Sequence, residues 1–143
     1  MTPERLIEFV GNHPILVATA VIILAVLIYT FVNDMTKKYK SVDPQGMVPL
    51  VNREEGIIFD LRGDAAYKAG HIVNAHEVSA SKLAEKAAKV ASDKSKPVIC
   101  VCNTGQQSGG ACKTLVAEGY EQVYNLSGGM MAWEKENMPL EKA

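Results

Sequence analysis

Cys102 closes the apolar run Pro97–Cys102 (PVICVC) and is followed by Asn103, Thr104, Gly105, Gln106 and Gln107, after which a helix-forming stretch opens at Ser108. A strand, a tight polar loop and a helix N-terminus let backbone N–H groups converge on one point. Those donors, with the positive end of the helix dipole, favour an anion there. A thiolate at Cys102 is itself such an anion, with its pKa lowered and its nucleophilicity raised. Gly105 lets the loop take a positive φ so that its amides turn inward. The plain alternative is that Cys102 is only a small apolar residue at a strand end. Cys100, two residues earlier on the same strand face, and Cys112, inside the helix, read as buried structural thiols. No metal is expected: Cys100-x-Cys102 lacks the two-residue spacer of a zinc knuckle, and no second Cys or His pair follows at ligand spacing.

The elements that must position this loop are short and alternate in type. Gly56–Leu61, Pro97–Cys102 and Val123–Leu126 are apolar, strand-like runs. Asp64–Ala69 before Gly70, Ser81–Val90, Ser108–Glu118 before Gly119, and Met130–Glu136 read as helices. Asp43-Pro44 signals a helix start, but Gly46 and Pro49 predict that any helix before Asn52 is short or broken. Strands alternating with helices predict an α/β fold with a mainly parallel sheet.

The chain has 143 residues with 15 Lys+Arg against 16 Asp+Glu. Its mean hydropathy of +0.01 averages two unlike parts. Residues 9–33 carry no charge, and Ile15–Val32 is broken only by Thr and Tyr. As an α-helix this run spans roughly 27 Å, close to the hydrocarbon thickness of a bilayer. Pro14 suits the first helical position, with Asn12 or His13 as the cap. Tyr29 and Phe31 fall near one end, where interfacial aromatics sit. A buried core helix would show a polar face, and a cleaved signal peptide would show a small-residue cleavage site, which Tyr-Thr-Phe-Val-Asn-Asp does not supply. The expected organisation is a lead-in over 1–13, a transmembrane helix over 14–33, a linker over 34–40 and one domain over 41–143. The lead-in reads either as a short interfacial helix or as a frayed terminus. Lys37, Lys38 and Lys40 outnumber Arg5 and the terminal amine, so the domain is expected in the cytoplasm and the N-terminus outside. The composition excludes a disordered chain, and the balanced charge excludes a nucleic-acid partner.

Four segments of the domain carry a family resemblance. Asp60-Leu61-Arg62 is a D-x-R after the second strand, and Gly70-His71-Ile72 with Asn74-Ala75 is a GHI-x-x-A element. Cys102-x-x-Gly105 leads into a helix, and Leu126–Trp133 reads L-x-GG-x-x-AW. In this order they resemble the rhodanese-like sulfurtransferase family, from about Ser41 to Leu140. A single span ahead of such a domain resembles a small group of bacterial inner-membrane proteins, which implies a lipid bilayer as one partner.

The resemblance implies a three-layer fold and a sulfur relay on Cys102, which becomes a persulfide and passes its outer sulfur to a thiol or other nucleophile. The loop Asn103, Thr104, Gly105, Gln106, Gln107 and Ser108 would bind the anion. Asp60, Arg62, His71, Gly128, Gly129 and Trp133 would form the fold. The partners implied are a small sulfane-sulfur donor or a persulfidated protein, with no cofactor. Many family members carry an Arg where this chain has Gln107, and residues 97–112 contain no charge at all. The loop therefore offers amide and hydroxyl donors without formal positive charge, which predicts weak affinity for thiosulfate. Cysteine phosphatases and arsenate reductases need Cys, five residues and then Arg; here Ser108 stands at that place. The alternative function is non-enzymatic, a membrane-anchored module that binds a partner protein in the membrane or at its surface.

Overall fold

The computed structural model describes residues 2–35 and 38–142. The chain divides into two compact units, Met1–Lys37 and Lys38–Ala143. Lys37, one of the lysines flanking the apolar run, lies outside the described residues.

The first unit contains helices α1 (Pro3–Asn12) and α2 (Pro14–Met35). Both open on a proline, whose missing N–H leaves no bond unmade in a first turn. At the helical repeat, Leu6, Ile7, Phe9 and Val10 fall on one side of α1, with Glu4, Arg5 and Glu8 on the other. The four apolar residues are all exposed. Within α2, Pro14–Asn33 is long and apolar enough to cross a membrane.

The second unit runs β1 (Lys40–Val42), α3 (Pro44–Asn52), β2 (Ile57–Asp60), α4 (Asp64–Ala69), β3 (His71–Ile72) and β4 (His76–Glu77). It continues through a 3₁₀ turn at Ala80–Lys82, then α5 (Leu83–Val90), β5 (Val98–Val101), α6 (Gln107–Ala117), β6 (Val123–Leu126), α7 (Gly129–Lys135) and β7 (Leu140–Glu141). Five strands form one sheet in the order β1-β6-β5-β2-β4, all parallel. β3 and β7 make a separate antiparallel pair.

β5 lies at the centre of the sheet, and its alternation of side chains builds both cores. Val98 and Cys100 join Leu83 and Ala87 of α5 and Ala111, Cys112 and Leu115 of α6 on one face. Ile99 and Val101 join Met47 of α3 and Met130 and Trp133 of α7 on the other. A strand buried on both faces has no polar side to show, which is why PVICVC reads as a continuous apolar run. The result is the expected three-layer α/β arrangement around a parallel sheet.

Three local expectations are corrected. The helix before Asn52 is short but not broken: α3 runs continuously through Pro49. Asp43 caps it by accepting from Gly46 N at 2.7 Å. Pro49 removes only the donor for the Gln45 carbonyl, and Gln45 is exposed to water. The stretch from Ser81 opens as a 3₁₀ turn, with Lys82 N donating to Ser79 O at 3.0 Å, and becomes α-helical only at Leu83. The linker reading of residue 40 also changes, because Lys40 pairs with Tyr124 at the sheet edge.

The segment after β2 is held by one buried ion pair. Arg62 donates from Nε to both Asp60 oxygens (3.0 and 3.1 Å) and from Nη2 to Oδ2 (2.8 Å). It also reaches the Gly70 carbonyl at 2.6 Å, which ties the end of β2 to the start of β3. Asp60 is 1% exposed. Removing one partner leaves a buried charge unpaired, so Arg62→Met is expected to destabilise by about 3–5 kcal/mol. The double replacement Asp60→Leu/Arg62→Met should recover part of that loss, and urea denaturation of the detergent-solubilised protein measures both.

Candidate active site

Cys102 follows β5 directly, at the carboxyl ends of the parallel strands, where open α/β sheets place their ligand sites. The loop after it curls back over the sulfur. Gly105 N donates to Cys102 Sγ at 3.0 Å and Ser108 N at 3.4 Å, and the Ser108 hydroxyl lies 3.3 Å from it. Gly105 has a φ of 89°, which an L side chain rarely adopts, and this turn aims its amide inward. Asn103, Thr104, Gln106 and Gln107 are exposed around a cysteine that is 1% exposed.

Burial raises the Cys102 pKa. The donors to sulfur more than offset it: the Ser108 hydroxyl first, then the amides of Ser108, Thr104 and Gly105. The thiol is therefore held below its ordinary value, as neutral donors to an anion require. Cys100 behaves differently. The neighbouring Cys112 thiol, and then burial, push Cys100 well above the ordinary range. Cys112 is buried on α6 and its Sγ donates to the Tyr124 carbonyl at 3.3 Å. Of Cys100 and Cys102, only Cys102 is poised to ionise.

The structure brings Gly128 and Gly129 against the loop. Met130 N donates to Cys102 O at 2.8 Å and Met131 N to Asn103 O at 3.1 Å, so the first amides of α7 hold the loop by its own carbonyls. Gly129 makes that approach possible: a Cβ there would lie 2.2 Å from Cys102 O and 2.6 Å from Asn103 O. Its φ of 56° adds a second reason for glycine.

Asp60, Arg62, His71 and Trp133 form their bonds elsewhere. His71 is stacked on Tyr67 with ring centroids 3.8 Å apart, and its Nδ1 lies 2.8 Å from Tyr67 O. Trp133 Nε1 donates to Pro139 O at 3.0 Å. Asn125, which carries no motif, is the residue that sequence reasoning missed. It sits buried on β6, accepts from Ser108 Oγ and donates to Gly105 O at 2.8 Å. Its one signal is an amide inside an otherwise apolar strand, VYNL. Among the described residues no group of three or more His, Cys, Asp or Glu is arranged to hold a metal ion.

Comparison with known proteins agrees with this fold. A rhodanese-like domain model matches residues 45–136. The protein YibN of Escherichia coli (strain K12) is 33% identical over 139 residues, covering 96% of each chain. Thiosulfate sulfurtransferase GlpE of Pseudoalteromonas translucida is 34% identical over 96 residues, which is 67% of this chain and 90% of the relative. The solution structure of a rhodanese-like domain from Anabaena sp. superposes with a TM-score of 0.65 at 25% identity, covering 72% of this chain and 79% of that one.

Gly129→Ala is the sharpest test of the loop's support, because the added methyl meets backbone atoms that cannot step aside. It is expected to cost at least about 2 kcal/mol and to slow alkylation of Cys102 as the amides lose their aim. A melting curve and iodoacetamide labelling of the same sample read the two effects.

Proposed function

The chain belongs to the rhodanese-like family, and from that premise we propose that it is a membrane-anchored sulfurtransferase that carries sulfane sulfur as a persulfide on Cys102. The observation that carries this reading is the set of hydrogen bonds converging on Cys102 Sγ from Gly105 and Ser108. Sulfurtransferase relatives align with two thirds of the chain.

The Cys102 thiolate attacks the outer sulfur of a donor such as thiosulfate. A bond forms between Sγ and that sulfur while the donor's S–S bond breaks, and the electron pair leaves with sulfite. The negative charge then rests on the outer sulfur of the persulfide. An acceptor thiolate attacks this sulfur, the Sγ–S bond breaks, and its electron pair returns to Sγ as the thiolate. Asn103, Thr104, Gly105, Gln106, Gln107 and Ser108 line the path of the transferred sulfur, and preorganised amides stabilise charge there without reorganising. No cofactor enters these steps.

The loop treats donors unequally. Thiosulfate brings two negative charges, whereas residues 97–112 supply no formal positive charge to meet them. A persulfide carries at most one charge and suits neutral donors better. Persulfidated proteins or small persulfides are therefore the preferred donors of this reading.

Positive charge past the apolar run, on Lys37, Lys38 and Lys40, supports a single-pass topology with the domain in the cytoplasm of a bacterial cell. The exposed apolar side of α1 then lies on the outer membrane–water interface. The span also favours a second reading, a non-enzymatic module that docks on a membrane protein, since small-molecule sulfur transfer needs no membrane.

Mass spectrometry separates the two readings. After exposure to a sulfane-sulfur donor, the wild-type protein is expected to gain the mass of one sulfur atom on Cys102, and Cys102→Ala to gain none. A folded wild type that never gains it supports the docking module instead. With thiosulfate, KM is expected above about 1 mM, the upper end of the usual range, and Gln107→Arg should lower it. A submillimolar wild-type KM contradicts the charge argument.

A further inference from the structure

A buried chain of side chains leads from β6 to the sulfur. Asn125 is 8% exposed and Ser108 is fully buried. Asn125 Nδ2 donates to Gly105 O at 2.8 Å, while Ser108 Oγ donates to Asn125 Oδ1 at 2.5 Å. The Gly105 carbonyl fixes the orientation of the amide, because the flipped form would set Oδ1 against a second acceptor.

Ser108 Oγ has one proton. While that proton points at Asn125, Oγ meets Cys102 Sγ at 3.3 Å only as an acceptor, and the S–H of a thiol is the donor that fits. A thiolate has no proton to offer. To bond it, Ser108 must turn its proton from Asn125 to the sulfur.

We propose that Asn125 is a positioning residue that competes with Cys102 for the single hydroxyl proton of Ser108, so that the charge on the sulfur and the direction of that hydroxyl change together. When Sγ carries charge, as before attack and after release, the proton turns to it. When Sγ is bonded to a second sulfur, the proton returns to Asn125. The donor is then present only while the charge is on Sγ, which favours release of the outer sulfur to the acceptor. This role rests on the assignment of Cys102 as the sulfur carrier. Its first readout, ionisation of the thiol, needs no sulfur chemistry.

Other groups around Cys102 leave this role to Ser108. Residues 103–112 and 127–133 carry no charged side chain. The titratable neighbours are the thiols Cys100 on β5 and Cys112 on α6, Asp60 on adjacent β2, which is paired with Arg62, and Tyr39, whose hydroxyl lies near Gly109. Tyr124 on β6 packs into the opposite core. Against the rise that burial imposes, the Ser108 hydroxyl is the strongest of the donors that lower the Cys102 pKa.

The test is the pH profile of Cys102 alkylation by iodoacetamide, read on the Cys102 peptide by mass spectrometry, with the full-length protein in detergent. Asn125→Leu removes the competing acceptor and fills its space. It is expected to lower the half-ionisation pH by about 0.5–1 unit, the worth of one neutral hydrogen bond. Ser108→Ala should raise it, and Asn125→Leu added to Ser108→Ala should then change it little. A purely structural role for Asn125 predicts the opposite sign, because a slack loop misdirects the Gly105 and Ser108 amides. A rise or no change in Asn125→Leu overturns the inference. Should Asn125→Leu fail to fold, Asn125→Asp provides a stronger acceptor. It should raise the half-ionisation pH more with Ser108 present than in Ser108→Ala, and equal rises overturn the inference. Sulfur loading of the same samples keeps the two ideas apart. Expected shifts without any sulfur gain on Cys102 leave the proton competition standing and defeat the sulfurtransferase reading. Sulfur gain with an unmoved profile does the reverse.

Discussion

Two amide bonds at the start of α7, from Met130 N to Cys102 O and from Met131 N to Asn103 O, hold the loop that the rest of the site depends on. The loop's amides keep their aim at the sulfur only while the backbone that leads into them is anchored through partners for its carbonyls, Cys102 O and Asn103 O. The N-terminus of α7 supplies those partners, and its own first N–H groups would otherwise lack acceptors. One contact thus completes a helix end and a loop at once. The absence of a side chain at Gly129 is what allows the two backbones to come together.

From this clamp follows the electrostatic character of the site. The sulfur is nearly enclosed, so ionisation is opposed by burial and must be recovered through short-range donors. Every donor found is neutral: amides of the loop, the first turn of α6 and one hydroxyl. Such donors stabilise a single negative charge on sulfur while giving little long-range attraction to a multiply charged donor. A distant guanidinium would do the reverse. Gln107 fits this pattern, since no side chain in residues 97–112 carries a charge.

The buried pairs away from the sulfur fit the same scheme. Arg62 joins Asp60 to the Gly70 carbonyl, His71 stacks on Tyr67, and Trp133 reaches Pro139 O. Each ties the end of one element to the start of another, in segments too short to hold themselves. The two-residue strands β3 and β7 depend on such ties, since among the described residues they pair only with each other.

The apolar helix over Pro14–Asn33, the alternation of strands and helices, the central strand PVICVC and the position of Cys102 at its end were all legible along the chain. These are local properties: an uninterrupted apolar run, a period, a glycine where the chain must turn. Three features were not legible. β1, β3, β4 and β7 span two or three residues each, too few for any alternation to show. The continuity of α3 through Pro49 goes with the exposure of Gln45, a fact of burial. Asn125 was invisible because its meaning lies in two partners 17 and 20 residues away, Ser108 and Gly105. It is packing that sets β6 beside β5 and so carries this amide under the loop and into reach of the serine proton. Parallel strands are joined through distant crossovers, so which side chains they bring together is settled by packing and not by any spacing along the chain.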